Sequence, residues 1–142
     1  MQEISARLEI ESILFNYTSS LDSGDLESTA KIFTKGAIHS PGNILQGYSG
    51  VFDTYKSAII FYDDEDNEVE YNRLKCSPKT KHLNTNIQYS FNPDVTLANV
   101  SSYFTVYQTI KSKTQIVVGG KYEDELLFDR KWYLKLRKMK NL

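Results

Sequence analysis

The sequence predicts an α+β fold in which N-terminal helices cover one face of a bent antiparallel sheet. Two observations carry this. Apolar residues recur at helical spacing through the first 60 or so positions, and period-two alternation runs from Thr80 to the C-terminus. Helices followed by consecutive strands must segregate onto one sheet face, and a sheet curling around them leaves a pocket between.

The first helix is expected from Ile4 to Leu21, a stretch without Gly or Pro in which Ile10, Leu14, Tyr17 and Leu21 share a stripe. Asp22-Ser23-Gly24 ends it, and Asp25 is placed to cap a short second helix with Leu26, Ala30 and Phe33 inward. Gly36 is expected as its C-terminal stop. Residues 37–47 read as a hairpin turning at Pro41-Gly42-Asn43. A third helix should run from about Tyr48 to Phe61, with Val51 or Phe52, Tyr55 and Ile59 inward.

Residues 62–79 carry Asp63, Asp64, Glu65, Asp66, Glu68 and Glu70. This is expected to be a solvated loop, or a lid; it lacks the glycine and closing glutamate of a calcium loop. Four strands should follow: Thr80–Phe91, Val95–Ile110, Gln115–Phe128 and Lys131–Lys140. Gly119-Gly120 suggests a bulge or bend in the third. Alternation puts Trp132, Leu134 and Leu136 inward in the last, with Lys135 and Arg137 outward.

The 142 residues and net charge of −1 fit a single domain over 1–142 with its own core. No apolar run reaches the ~18–20 residues of a membrane span, and no signal peptide opens the chain, so a cytoplasmic location is expected. One cysteine and two histidines leave little from which to build a metal site, and none is expected. No glycine-rich phosphate cradle occurs, so nothing argues for a bound nucleotide. Near-neutral charge gives no pull toward nucleic acid; the basic last strand reads as a solvated edge or, less readily, an RNA contact. Ten tyrosines, against seven phenylalanines, suit a partly polar interior such as a cavity.

Four groups of residues could carry chemistry. His82 shares a strand face with Asn84, Asn86, Gln88 and Ser90, which is either a solvent face or a cavity wall. In a cavity, the imidazole titrates in the range useful for general acid–base work. Tyr17 lies on the apolar stripe of the first helix. Asp22 ends that helix, where the dipole disfavours a carboxylate, so a turn role alone explains it poorly. Tyr122 and Asp124 share a face with Leu126 and Phe128, so Asp124 is either paired or in a cavity.

The segment Tyr17-Thr-Ser-Ser-Leu-Asp22-Ser-Gly-Asp25, followed by Ala30-Lys-Ile-Phe33-Thr34, resembles the opening of the SnoaL-like family in the nuclear transport factor 2-like superfamily. Gly47 before a helix, Thr80-Lys81-His82-Leu83-Asn84-Thr85-Asn86, and Gly120-Lys-Tyr122-Glu-Asp124-Glu-Leu126 with Trp132 resemble its later motifs in order. The layout is most similar to the scytalone dehydratase and bile-acid 7α-dehydratase branches. The resemblance implies a cone-shaped α+β barrel, with three N-terminal helices packed on a strongly bent mixed, mainly antiparallel sheet, and a cofactor-independent dehydratase or isomerase. Its conical pocket would take a small hydrophobic cyclic or polyketide-like carbonyl compound. His82 would be the base, Asp22 its orienting partner, and Tyr17 the group that polarises a carbonyl or protonates a leaving hydroxyl. Scytalone dehydratase takes a second histidine from the next strand. None occurs here, so Tyr103, Tyr107 or Asn99 would substitute, with Tyr122, Asp124, Asn84 and Asn86 completing the substrate contacts. The alternative is a non-catalytic ligand-binding or assembly module. A homodimer or homotrimer would then form through the open sheet face, where Leu83, Ile87 and Tyr89 are expected.

Overall fold

The computed structural model describes residues 2–141; Met1 and Leu142, the ends of the expected domain, lie outside them. The described residues form helices α1 (Glu3–Asp22), α2 (Leu26–Lys31) and α3 (Gly47–Ala58). The strands are β1 (Ala37–Ser40), β2 (Asn43–Gln46), β3 (Phe61–Tyr62), β4 (Glu68–Val69), β5 (Thr80–Phe91), β6 (Leu97–Ile110), β7 (Lys113–Asp129) and β8 (Lys131–Asn141). Six of them make a sheet in the order β2-β1-β8-β7-β6-β5. All neighbours are antiparallel except β1 and β8, which are parallel, so the sheet is mixed as expected.

Helix α1 lies across the concave face. Its stripe Ala6, Ile10, Leu14, Tyr17 and Leu21 is buried. Ile10 and Leu14 are fully covered, each contributing roughly 1.5–3 kcal/mol relative to exposure. Asp25 caps α2 by accepting a hydrogen bond from the Ser28 N–H at 3.1 Å. Gly36 does not act through a left-handed turn. The chain there presses on β8, where a Cβ would sit 2.2 Å from the Leu134 carbonyl oxygen. Helix α3 stops at Ala58, three residues short of the expected end. Ile59 is already extended, and Phe61–Tyr62 pair with Glu68–Val69 in a small separate hairpin.

The acidic segment is tied down. Asp66 accepts a hydrogen bond from the Lys111 N–H at 2.6 Å and pairs with Lys79 at 3.2 Å. Arg73 reaches back to Asp25 and Glu27, both at 2.8 Å. Tyr71, within the segment expected to be a solvated loop, packs on Phe61 and Phe52 and accepts a hydrogen bond from the Leu26 N–H.

Three irregularities reset which side chains face the helices, because a one-residue slip moves every following side chain to the other face. In β5 the register breaks between Thr85 and Gln88, with Asn86 at φ +54°. His82 and Asn84 face inward before the break, and Ile87, Tyr89 and Phe91 after it. Ile87 and Tyr89 therefore pack against the core, and Leu83 alone of the expected trio lies on the outer face. In β7 the break falls at Val117, opposite Val106 and Tyr107, and not at the glycines. Gly120 instead makes room: a Cβ there would lie 2.6 Å from the ring of Phe104 and 2.3 Å from the Lys140 carbonyl oxygen. In β8 Lys135 is the extra residue, since Leu134 pairs with Leu126 and Leu136 with Glu125. The expected outward orientation of Arg137 is thereby reversed: its side chain is completely buried.

Candidate active site

Asp22 ends α1 beside the first residues of β5. Thr80 and His82 project from the same strand face, and both turn to its carboxylate. Oδ1 accepts from the Thr80 hydroxyl at 2.9 Å and lies 2.6 Å from His82 Nδ1. Oδ2 accepts from the His82 backbone N–H at 2.8 Å. These three donors offset the unfavourable position at the helix C-terminus. The Asp22 carboxylate oxygen accepts a hydrogen bond from Nδ1–H, which leaves Nε2 as the ring's acceptor nitrogen. Nε2 has no protein partner among the described residues.

His82 lines a cavity of about 210 Å³ between α1, α3 and the concave sheet. Its other walls include Tyr17, Tyr55, Tyr122, Phe104 and Met139. Tyr17 reaches it from α1 and Tyr55 from α3, and their hydroxyls meet at 2.6 Å. The Tyr55 hydroxyl also touches the Met139 sulfur at 3.9 Å. Edge-on packing against Phe33 and Tyr122 fixes the Tyr17 ring, and Phe104 stacks on Tyr122 at 4.3 Å in the space beside Gly120. Burial raises the pKa of all three phenols above the ordinary value, most strongly for Tyr55 and Tyr122. For Tyr17 the nearby Arg137 cation opposes that rise. The phenols are therefore neutral hydrogen-bond donors near pH 7.

Behind these rings lies a buried ion pair. Arg137 donates through Nε and Nη2 to the two oxygens of Asp124, at 2.8 and 2.9 Å, with both side chains wholly buried. Burial pulls the guanidinium toward neutrality, and the charge and hydrogen bonds of Asp124 outweigh it. Its central carbon stands 3.7 Å over the Tyr122 ring and 4.5 Å from that of Tyr17. Nη1 is buried without a hydrogen-bond partner. A bare donor of this kind costs about 1–3 kcal/mol, which cation–π contact with the two rings offsets in part.

The structure thus brings His82, Tyr17 and Tyr122 together around one cavity, with Asp22 held against His82 outside its lining. The other expected contacts lie elsewhere. Tyr103 is half exposed on the outer sheet face, and Tyr107 is on that face too, because the inward positions of β6 are Ser102, Phe104 and Val106. Asn86 sits in the β5 bulge with its side chain exposed. Asn84 faces inward, but its amide donates to the Tyr103 carbonyl oxygen at 3.0 Å, and it does not line the cavity. Asp124 is spent on Arg137. Three residues of the site went unread: Thr80, Tyr55 and Arg137. Thr80 shares the strand parity of His82, and that signal was available; the other two depend on tertiary packing. Among the described residues no cluster of three or more His, Cys, Asp or Glu could hold a metal ion, and no helix is long and apolar enough to cross a membrane.

Comparison with known proteins places this architecture. A comparison with curated protein sequences gives no match. Similar solved structures include a protein from Novosphingobium aromaticivorans provisionally titled a scytalone dehydratase, with TM-score 0.72 and 20% identity over 99% of this chain and 86% of that one. ActVI-ORFA from Streptomyces coelicolor gives TM-score 0.76 and 14% identity, over 96% of this chain and 97% of that one. An NTF2-like protein with a cystatin-like fold, also from N. aromaticivorans, gives 0.72 and 14%, over 98% and 83%. At these identities the likeness is one of fold. The SnoaL-like domain model matches residues 2–138, nearly the whole sequence, and the chain belongs to the SnoaL-like family.

Proposed function

We propose that the chain is a cofactor-independent dehydratase or isomerase acting on a small, mostly apolar cyclic or polyketide-like carbonyl compound. The observation that carries this is the His82–Asp22 pair, which leaves Nε2 free on the wall of an apolar cavity that also presents the Tyr17–Tyr55 hydroxyls. The cavity is smaller than the roughly 300–1,000 Å³ of sites for drug-sized ligands, which favours a compact substrate of one or two rings.

In this reading the substrate carbonyl oxygen accepts a hydrogen bond from a tyrosine hydroxyl. His82 Nε2 removes a proton from the carbon next to that carbonyl. The C–H electron pair moves into the new C=C bond, and the carbonyl pair moves onto oxygen as an enolate. The neutral phenols stabilise that charge, and Asp22 stabilises the imidazolium as it forms. Collapse of the enolate expels a β-hydroxyl, which leaves as water after taking the proton from His82. If no leaving group is present, the same proton returns at another carbon and the product is an isomer.

The test is a panel of cyclic β-hydroxyketones incubated with the chain and followed by mass spectrometry for loss of one water. Turnover that disappears in a folded His82→Ala variant supports the reading. Binding of panel members without turnover favours the non-catalytic ligand-binding alternative.

A further inference from the structure

The Arg137–Asp124 pair is more than the proposed chemistry requires. Here the guanidinium spends Nε and Nη2 on Asp124 and leaves Nη1 buried and unpartnered. Its flat face lies against Tyr122 and approaches Tyr17, whose hydroxyl bonds that of Tyr55 on the cavity wall. The inward turn of Arg137 depends on the extra residue Lys135; unbroken alternation would have put the cation in solvent.

We propose that Arg137 is a positioning residue for the tyrosine end of the cavity. It fixes the Tyr17 and Tyr122 rings and places a buried positive charge behind the Tyr17–Tyr55 hydroxyl pair, so that this end receives a ligand oxygen bearing negative charge. The ligand class is then an enolate or phenolate with an apolar body. This rests on the reading above, in which the substrate oxygen meets the tyrosines. The charged or titratable groups around Tyr17 are Tyr55 from α3, Tyr122 and Asp124 from β7, and Arg137 from β8. Arg137 bears on Tyr17 more strongly than Asp124 does, and in the opposite sense.

The experiment is a pH titration of the ligand-free full chain carrying ¹³C-labelled tyrosine, with Tyr17→Phe and Tyr55→Phe used to assign the signals. Asp124→Asn unmasks the cation and should lower the Tyr17 midpoint by about one pH unit, a tenfold gain in acidity. Asp124→Asn/Arg137→Gln keeps two hydrogen-bonding side chains and removes both charges. In it Tyr17 should stay protonated to at least as high a pH as in the unmodified chain. A midpoint lying at the unmodified value in folded Asp124→Asn overturns the proposal. Should that variant fail to fold, the double variant decides through 4-nitrophenol. The unmodified chain should bind this probe as its yellow phenolate, and the double variant about tenfold more weakly, with binding of neutral 4-nitroanisole unchanged. Equal loss of both probes, or no binding of 4-nitrophenol by the unmodified chain, overturns it. None of these readouts requires turnover, so the proposal can fail while the His82 chemistry stands, and the reverse.

Discussion

The carboxylate of Asp22 holds His82 twice, through the backbone N–H at 2.8 Å and through Nδ1 at 2.6 Å. One grip sets where β5 meets the end of α1, and the other sets the imidazole tautomer. In long-range ¹H–¹⁵N NMR the neutral ring should appear with its proton on Nδ1. Asp22→Asn should let the other tautomer appear. Once a substrate is found, that variant should lower turnover by about 10²–10⁴-fold, the usual worth of an acid–base group.

Tyr17 and Tyr55 share one hydrogen bond between their hydroxyls at 2.6 Å. Tyr55→Phe should destabilise the chain by about 1–3 kcal/mol, because it removes the Tyr17 hydroxyl's partner, and Tyr17→Phe should cost less, because the Tyr55 hydroxyl keeps the Met139 sulfur. The double variant should cost less than the sum of the two. Denaturant midpoints of the four chains check this; strict additivity would mean the hydroxyls are independent.

Breaking the Asp124–Arg137 pair from one side should be far worse. Asp124→Ala leaves a buried cation unpaired, and about 3–5 kcal/mol of stability should be lost. Replacing both residues together, as Asp124→Leu/Arg137→Met, should recover most of that in equilibrium unfolding.

Gly120→Ala puts a methyl group against the Phe104 ring and the Lys140 carbonyl oxygen. An overpacking loss of about 1–3 kcal/mol is expected. The Phe104–Tyr122 stack should shift with it, visible in near-ultraviolet circular dichroism.

Acid should weaken the α2 cap before the core. The hydrogen bond from Arg73 holds the Asp25 carboxyl down at about 2, against an ordinary 3.8. A group whose folded value is depressed stabilises fully above its unfolded value, and the benefit fades as pH falls through the folded one. Thermal melts of Asp25→Ser should therefore lie below those of the unmodified chain by a constant amount above about pH 4.5, and the two should converge toward pH 2. A difference independent of pH down to 2 would contradict this.

The elements legible in the sequence were those set by local periodicity. Ile10, Leu14 and Tyr17 share a stripe at any register, and Thr80 and His82 share a face before any bulge, so the Asp22–His82 meeting was within reach. Faces went wrong where a single extra residue broke the alternation. Asn86 returns Ile87 and Tyr89 to the core, and Lys135 turns Arg137 inward. Neither carries a glycine or proline to announce it. Tyr55 was readable as an inward residue of its helix. That it meets Tyr17, 38 positions away, follows only from how α3 seats on α1.

The central claim is that His82 Nε2 takes a proton from carbon next to a carbonyl held at the tyrosines. Its most direct measurement is deuterium uptake from D₂O at that carbon, by NMR, across a panel of small cyclic ketones. The account predicts accelerated exchange for at least one ketone, lost in folded His82→Ala and reduced in Tyr17→Phe. Exchange no faster than in buffer for every ketone, or exchange undiminished in His82→Ala, would contradict it.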